Sequence, residues 1–66
     1  MLKLIVNGRS REVEEGTVVD LLRGHGLDNK MVVVEIDGSI VPKEAWASTA
    51  LADGMTVELV HFVGGG

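Results

Sequence analysis

The stretch Met55-Thr56-Val57-Glu58-Leu59-Val60-His61-Phe62 decides the fold. Read with the strand period of two, it places Met55, Val57, Leu59 and His61 on one face and Thr56, Glu58, Val60 and Phe62 on the other. Both faces become apolar toward its end. If the first face packs on a helix, Val60 and Phe62 remain on the second as an exposed apolar patch, the kind of surface that marks association. At the opposite end of the chain, Leu2, Leu4 and Val6 share one face of a second apolar strand, with Ile5 turned away from them. Asn7-Gly8 follows, a pair suited to the positive φ angles of a tight turn, and Arg9 to Val13 returns as a more polar edge strand. The first and last strands are both more apolar than this second one. They are therefore expected side by side and parallel at the sheet centre, joined by a long crossover.

The crossover supplies the helix. Glu14-Glu15-Gly16 breaks the strand pattern, Thr17 is placed to cap, and Asp20 puts a carboxylate at the positive end of the first turn. Val18, Leu21, Leu22 and His25 fall at helical spacing, and Gly26 ends the helix after two to three turns, with Leu27 packing back. Met31 to Ile36, apolar except for Glu35, reads as a strand buried on much of both faces. Asp37-Gly38 is a second tight turn, and Ser39 to Val41 a short strand stopped by Pro42. Val41 to Trp46 follows no period. Trp46 is expected to cover an open end of the core, with its indole N–H near solvent or a carbonyl. Together these elements make an α+β domain over residues 1–62, a mixed sheet of four to five strands with one crossing helix. This is the β-grasp arrangement of ubiquitin.

Composition narrows the function. A chain of 66 residues has room for one small core and for no deep pocket. The net charge of −4, without any run of Lys or Arg, is unlike a nucleic-acid binder, so the partner surface is expected to be protein. With no cysteine there can be no disulfide, thiolate metal site or side-chain persulfide. His25 and His61 have no cysteine or carboxylate cluster at metal-ligand spacing and are assigned neither metal nor cofactor. No leader precedes the first strand and no apolar run reaches the roughly 20 residues of a membrane span, so a cytoplasmic protein is expected.

The last residues, Val63-Gly64-Gly65-Gly66, read either as a frayed end or as a tail whose Gly66 carboxylate is the working group, and the glycines alone do not decide between them. Residues 63–66 read as a flexible glycine tail, since glycine carries high backbone entropy and has no side chain to bury. Three extended residues carry a terminal carboxylate roughly 10 Å beyond the body, enough to enter a partner's active site.

The chain resembles the ThiS family, the small ubiquitin-like sulfur carriers of thiamine thiazole synthesis. The matching residues are Val6-Asn7-Gly8, Glu15-Gly16-Thr17-Val18 with Asp20-Leu21-Leu22, Val41-Pro42-Lys43-Glu44-Ala45-Trp46, Asp53-Gly54, and Val63-Gly64-Gly65-Gly66. The likeness spans essentially the whole chain, and the Val-Pro-Lys-x-x-Trp stretch separates it from the molybdopterin-synthase small subunits. It implies that a ThiF-type, E1-like enzyme adenylates the Gly66 carboxylate and that a persulfide donor such as a cysteine desulfurase supplies sulfur. The resulting thiocarboxylate would serve a ThiG-type thiazole synthase. Gly64 and Gly65 would thread the partner's active site, Val60, Phe62 and Val63 would form the partner-binding surface, and no catalytic residue would lie on this chain. The alternatives are a related carrier for molybdopterin or tRNA thiolation, a protein modifier, or a β-grasp interaction domain whose glycines are inert.

Overall fold

The computed structural model describes residues 1–62. Five strands and two helical segments follow in the order β1 (Leu2–Val6), β2 (Arg9–Val13), α1 (Val18–Gly24), β3 (Val32–Ile36), β4 (Ser39–Val41), a 3-10 helix (Lys43–Ser48) and β5 (Thr56–His61). They form one sheet in the order β2-β1-β5-β3-β4. β1 and β5 are neighbours and parallel, and every other pairing is antiparallel. This is the central pair expected from the two apolar strands, with the polar β2 at one edge.

The period-two reading of both strands matches their burial. Leu4, Val6, Val57 and Leu59 are buried beneath α1, which contributes Val18, Leu21 and Leu22, and Val34, Trp46 and Leu51 complete the core. Ile5 lies on the open face and is exposed. β3 departs from expectation. Only Val34 is fully buried, while Val33 and Glu35 are half-buried on the open face, because the single α-helix covers one side of the sheet and nothing among the described residues covers the other. Met31, read as the start of that strand, precedes it and is exposed.

The helix ends obey their local chemistry. The Thr17 N–H donates to the Asp20 carboxylate at 2.8 Å, and the Thr17 hydroxyl lies 3.3 Å from the same oxygen. At the other end Gly26 takes φ +69°, and the Leu27 N–H reaches back 2.8 Å to the Leu22 carbonyl, satisfying an acceptor the helix would leave open. The His25 ring lies at the same end, with Nδ1 3.0 Å from the Leu21 carbonyl, which also accepts the His25 backbone N–H at 3.2 Å.

The stretch Val41 to Trp46, read as irregular, falls largely within a 3-10 helix over Lys43–Ser48. Its turns close on bonds such as Ala45 N–H to Pro42 O at 2.8 Å, and Trp46 is its one buried residue. One inward residue generates no period, which is why the pattern is silent there. The Trp46 indole N–H donates to the Val41 carbonyl at 3.0 Å.

Candidate functional site

The site is built around the end of β5, the strand that precedes residues 63–66. Its position is fixed by side chains from three turns. Asn7, at φ +51° in the first hairpin, does more than turn the chain. The parallel ladder between β1 and β5 has backbone bonds from Ile5 N–H to Met55 O at 3.0 Å and from Asn7 N–H to Val57 O at 2.9 Å. Beyond that point β1 turns away, and the Asn7 amide takes its place. Its Nδ2 donates to the Leu59 carbonyl at 3.1 Å and its Oδ1 accepts from the Leu59 N–H at 2.7 Å. A side-chain amide thus imitates one more strand residue and holds β5 one step before Val60. Asp37 accepts from the Thr56 N–H at 3.0 Å, and Asp53 from the Lys3 N–H at 2.7 Å, so the other two turns secure the start of β5 and the strand beside it.

Replacing Asn7 by Ala should therefore cost more than an ordinary turn substitution. It removes two partly buried hydrogen bonds and leaves a Cβ residue at positive φ without its amide. The expected loss is about 2 to 3 kcal/mol of unfolding free energy by urea titration. Asn7→Gly relieves the backbone but not the bonds and should recover only part of it. A loss below about 0.5 kcal/mol for Asn7→Ala would mean that the amide does not secure β5, since surface substitutions fall in that range.

Past Leu59 the strand emerges. Val60 is 52% exposed and Phe62 58% exposed, so both apolar side chains lie at the surface as their alternation with Leu59 requires. The Phe62 N–H donates to the Met31 carbonyl at 3.0 Å, which keeps the chain paired to the β3 side as far as the last described residue. Phe62 also borders a shallow groove with Met31, Val33, Ile40, Pro42 and Trp46. The remaining residues assigned from sequence, Val63, Gly64, Gly65 and Gly66, lie outside the described residues. Among the described residues no three His, Asp or Glu side chains are grouped to hold a metal ion, and no helix is long and apolar enough to cross a membrane.

A mixed five-stranded sheet crossed by one helix, with two parallel strands at its centre, defines a ubiquitin-like β-grasp protein. A model of the ThiS family matches residues 4–66. The sulfur carrier protein ThiS of Bacillus subtilis is 45% identical over 53 residues, covering 80% of this chain and 80% of that one. The crystal structure of the thiamine biosynthesis protein ThiS from Geobacter metallireducens superposes with a TM-score of 0.82 at 35% identity, covering 98% of this chain and 100% of the other. A thiazole synthase of Paramagnetospirillum magneticum is 41% identical over 66 residues, 98% of this chain, and there the chain spans only 20% of the relative's length. The chain belongs to the ThiS family, the sulfur carriers of thiamine biosynthesis.

Proposed function

We propose that this protein carries sulfur on the carbonyl of Gly66 for construction of the thiamine thiazole. The observation that supports this most is the family match through residue 66, which includes the glycine run as well as the folded body. A carboxylate, with a reference pKa of roughly 3.5, is ionised at neutral pH and is a poor acyl electrophile. It must be activated. In the proposed sequence a Gly66 oxygen attacks the α-phosphorus of ATP on an E1-like, ThiF-type enzyme, forming an acyl-adenylate and releasing pyrophosphate. The terminal sulfur of a persulfide, charged by a donor such as a cysteine desulfurase, then attacks the carbonyl and AMP leaves. The new bond is C–S; a second thiol then attacks the donor's inner sulfur and breaks the persulfide's original S–S bond, forming a disulfide with the donor and leaving a thiocarboxylate on Gly66. Every thiol in this sequence belongs to a partner, because this chain has no cysteine.

The thiazole synthase whose polypeptide contains a stretch similar to this chain supports a ThiG-type thiazole synthase as the sulfur acceptor. In that role residues 63–66 act as a tail whose Gly64 and Gly65 pass a narrow channel. Val60, Phe62 and Val63 form the surface the partners grip. The protein is a co-substrate, and the catalytic groups are the partners'.

The test is ATP–pyrophosphate exchange with the ThiF-type enzyme of the same organism, which should depend on this protein. Phe62→Ala or Val60→Asp should raise the concentration needed for half-maximal exchange by roughly thirtyfold or more, as truncation of an aromatic anchor costs about 2 kcal/mol. Thermal stability should stay within a few degrees, because both side chains are exposed. Unfolding of Phe62→Ala would place that ring in the core, and unaltered exchange by a folded variant would remove it from the docking surface.

A further inference from the structure

Two turns of the same build grip β5 at its two ends. Asn7-Gly8 and Asp37-Gly38 both take positive φ at both residues, 51° and 80° in the first, 50° and 88° in the second. Their side chains differ, and so do the groups left for them to satisfy. At Thr56, where β5 begins, the Asp37 backbone N–H already donates to the carbonyl at 2.8 Å, so the side chain has only the Thr56 N–H to accept and a carboxylate suffices. At Leu59 both backbone groups need a side chain. The Asn7 backbone N–H is engaged by the Val57 carbonyl, and the Leu59 N–H and carbonyl are met by Oδ1 and Nδ2 of the one amide. Of the residues that readily accept positive φ, glycine, aspartate and asparagine, only asparagine carries a donor and an acceptor side by side.

Leu59 is also where β5 loses its neighbour on one side. Backbone groups alternate in direction along a strand, so those of Leu59 face β1, while the Phe62 N–H faces β3 and reaches the Met31 carbonyl at 3.0 Å. Among the described residues the Asn7 amide makes the last bonds on the β1 side. Residues 60–62, which join Leu59 to the stretch 63–66, are therefore paired on the β3 side alone, and their hold depends on how firmly Leu59 is fixed.

We propose, resting on the carrier reading above, that Asn7 is a positioning residue for adenylation: its amide holds residues 59–62 as a fixed root from which Gly66 is presented. A partner then meets this segment already ordered. Ordering a frayed strand end on binding would cost conformational entropy and weaken the complex, whereas a segment ordered beforehand avoids that cost. Once bound, the segment is held by the partner as well. Loss of the amide should therefore raise the carrier concentration that exchange requires and leave the maximal rate largely intact.

The experiment compares Asn7→Gly, Asn7→Asp and Asp37→Gly with the wild type, each well below its melting temperature. Glycine accepts the positive φ of either turn, so the two glycine variants remove side-chain bonds without straining the backbone. Asn7→Asp keeps a turn of the kind Asp37 makes, keeps the acceptor for the Leu59 N–H, and sets an oxygen without a proton against the Leu59 carbonyl. Amide hydrogen exchange is read first, on the carrier alone. In both Asn7 variants the Phe62 amide, which bonds to Met31 and not to Asn7, should exchange faster by about tenfold or more while the Thr56 amide is unchanged. Asp37→Gly should show the reverse. Each protein is then titrated in ATP–pyrophosphate exchange with the ThiF-type enzyme. Both Asn7 variants should need roughly tenfold more carrier for half-maximal exchange and reach a maximal rate within about twofold of the wild type. Asp37→Gly should titrate as the wild type does. A Phe62 amide as protected in folded Asn7→Gly as in the wild type overturns the proposal, and so does an unaltered half-maximal concentration. An equal rise for Asp37→Gly also overturns it, because the loss would then be one of general stability. Asn7→Asp titrating like the wild type would reduce Asn7 to turn geometry and overturn it too. Wild-type protein that supports no exchange, beside a Phe62 amide whose protection needs Asn7, refutes the carrier reading and its adenylation role while the anchoring of residues 59–62 stands.

Discussion

Adding one alanine after Gly66 should abolish ATP–pyrophosphate exchange and leave the melting curve unchanged. The extra residue moves the carboxylate by up to about 3.5 Å, while the reacting oxygen and phosphorus must lie about 3 to 3.5 Å apart and in line. It also introduces a methyl where the channel is expected to admit only glycine. Deletion of Gly66 should have the same outcome through loss of reach. Neither change touches the ten buried core residues among those described, which run from Leu4 to Leu59. Activity and stability are therefore expected to separate completely, with exchange reduced by at least about a thousandfold at constant melting temperature. Full exchange by the extended protein would mean that the Gly66 carboxylate is not the reacting group.

The largest loss of stability is expected at Trp46. This residue seals one end of the core from a 3-10 helix that no hydrophobic period supports, and it ties that helix to the end of β4 through Val41. Trp46→Ala removes the largest side chain in the core, for which a cost of about 3 to 5 kcal/mol is usual. A domain this small has little more than that to lose. With a urea dependence of about 1 kcal/mol per molar, the midpoint should fall by roughly 3 M or more, leaving a substantial unfolded fraction in buffer. Trp46→Phe keeps much of the packing, loses the bond to Val41 O, and should cost about 1 to 2 kcal/mol beyond its lost volume. A midpoint shift under about 1 M for Trp46→Ala would show that the 3-10 segment is not held by this ring.

The sheet was legible in the sequence because its signals are local. Leu2, Leu4 and Val6 alternate cleanly, Asn7-Gly8 and Asp37-Gly38 take the positive φ angles their residue types favour, and Thr17 with Asp20 marks a helix start within four residues. The exposure of Val60 and Phe62 followed from the same alternation, once Leu59 was assigned inward. What escaped depends on partners distant in sequence. Asn7 and Leu59 are 52 positions apart, and Asn7 reads as a turn residue until the parallel strand is beside it. The pairing of Glu35 in β3 with Glu58 in β5 is set by register between strands, which alternation within one strand does not specify. The open side of β3 escaped for a related reason. A β-branched apolar run looks the same whether one face or both are covered, and the single helix covers one.

The central claim is that Gly66 carries sulfur, and the mass of the C-terminal peptide tests it most directly. The protein is isolated intact from cells making thiamine and from the same cells lacking the ThiF-type enzyme, then digested and weighed. The account predicts a peptide ending at Gly66 and heavier by the exchange of one oxygen for one sulfur, present in the first sample and missing from the second. A terminal peptide that bears only an ordinary carboxylate in both, or a chain that continues past Gly66 in the working protein, would contradict it.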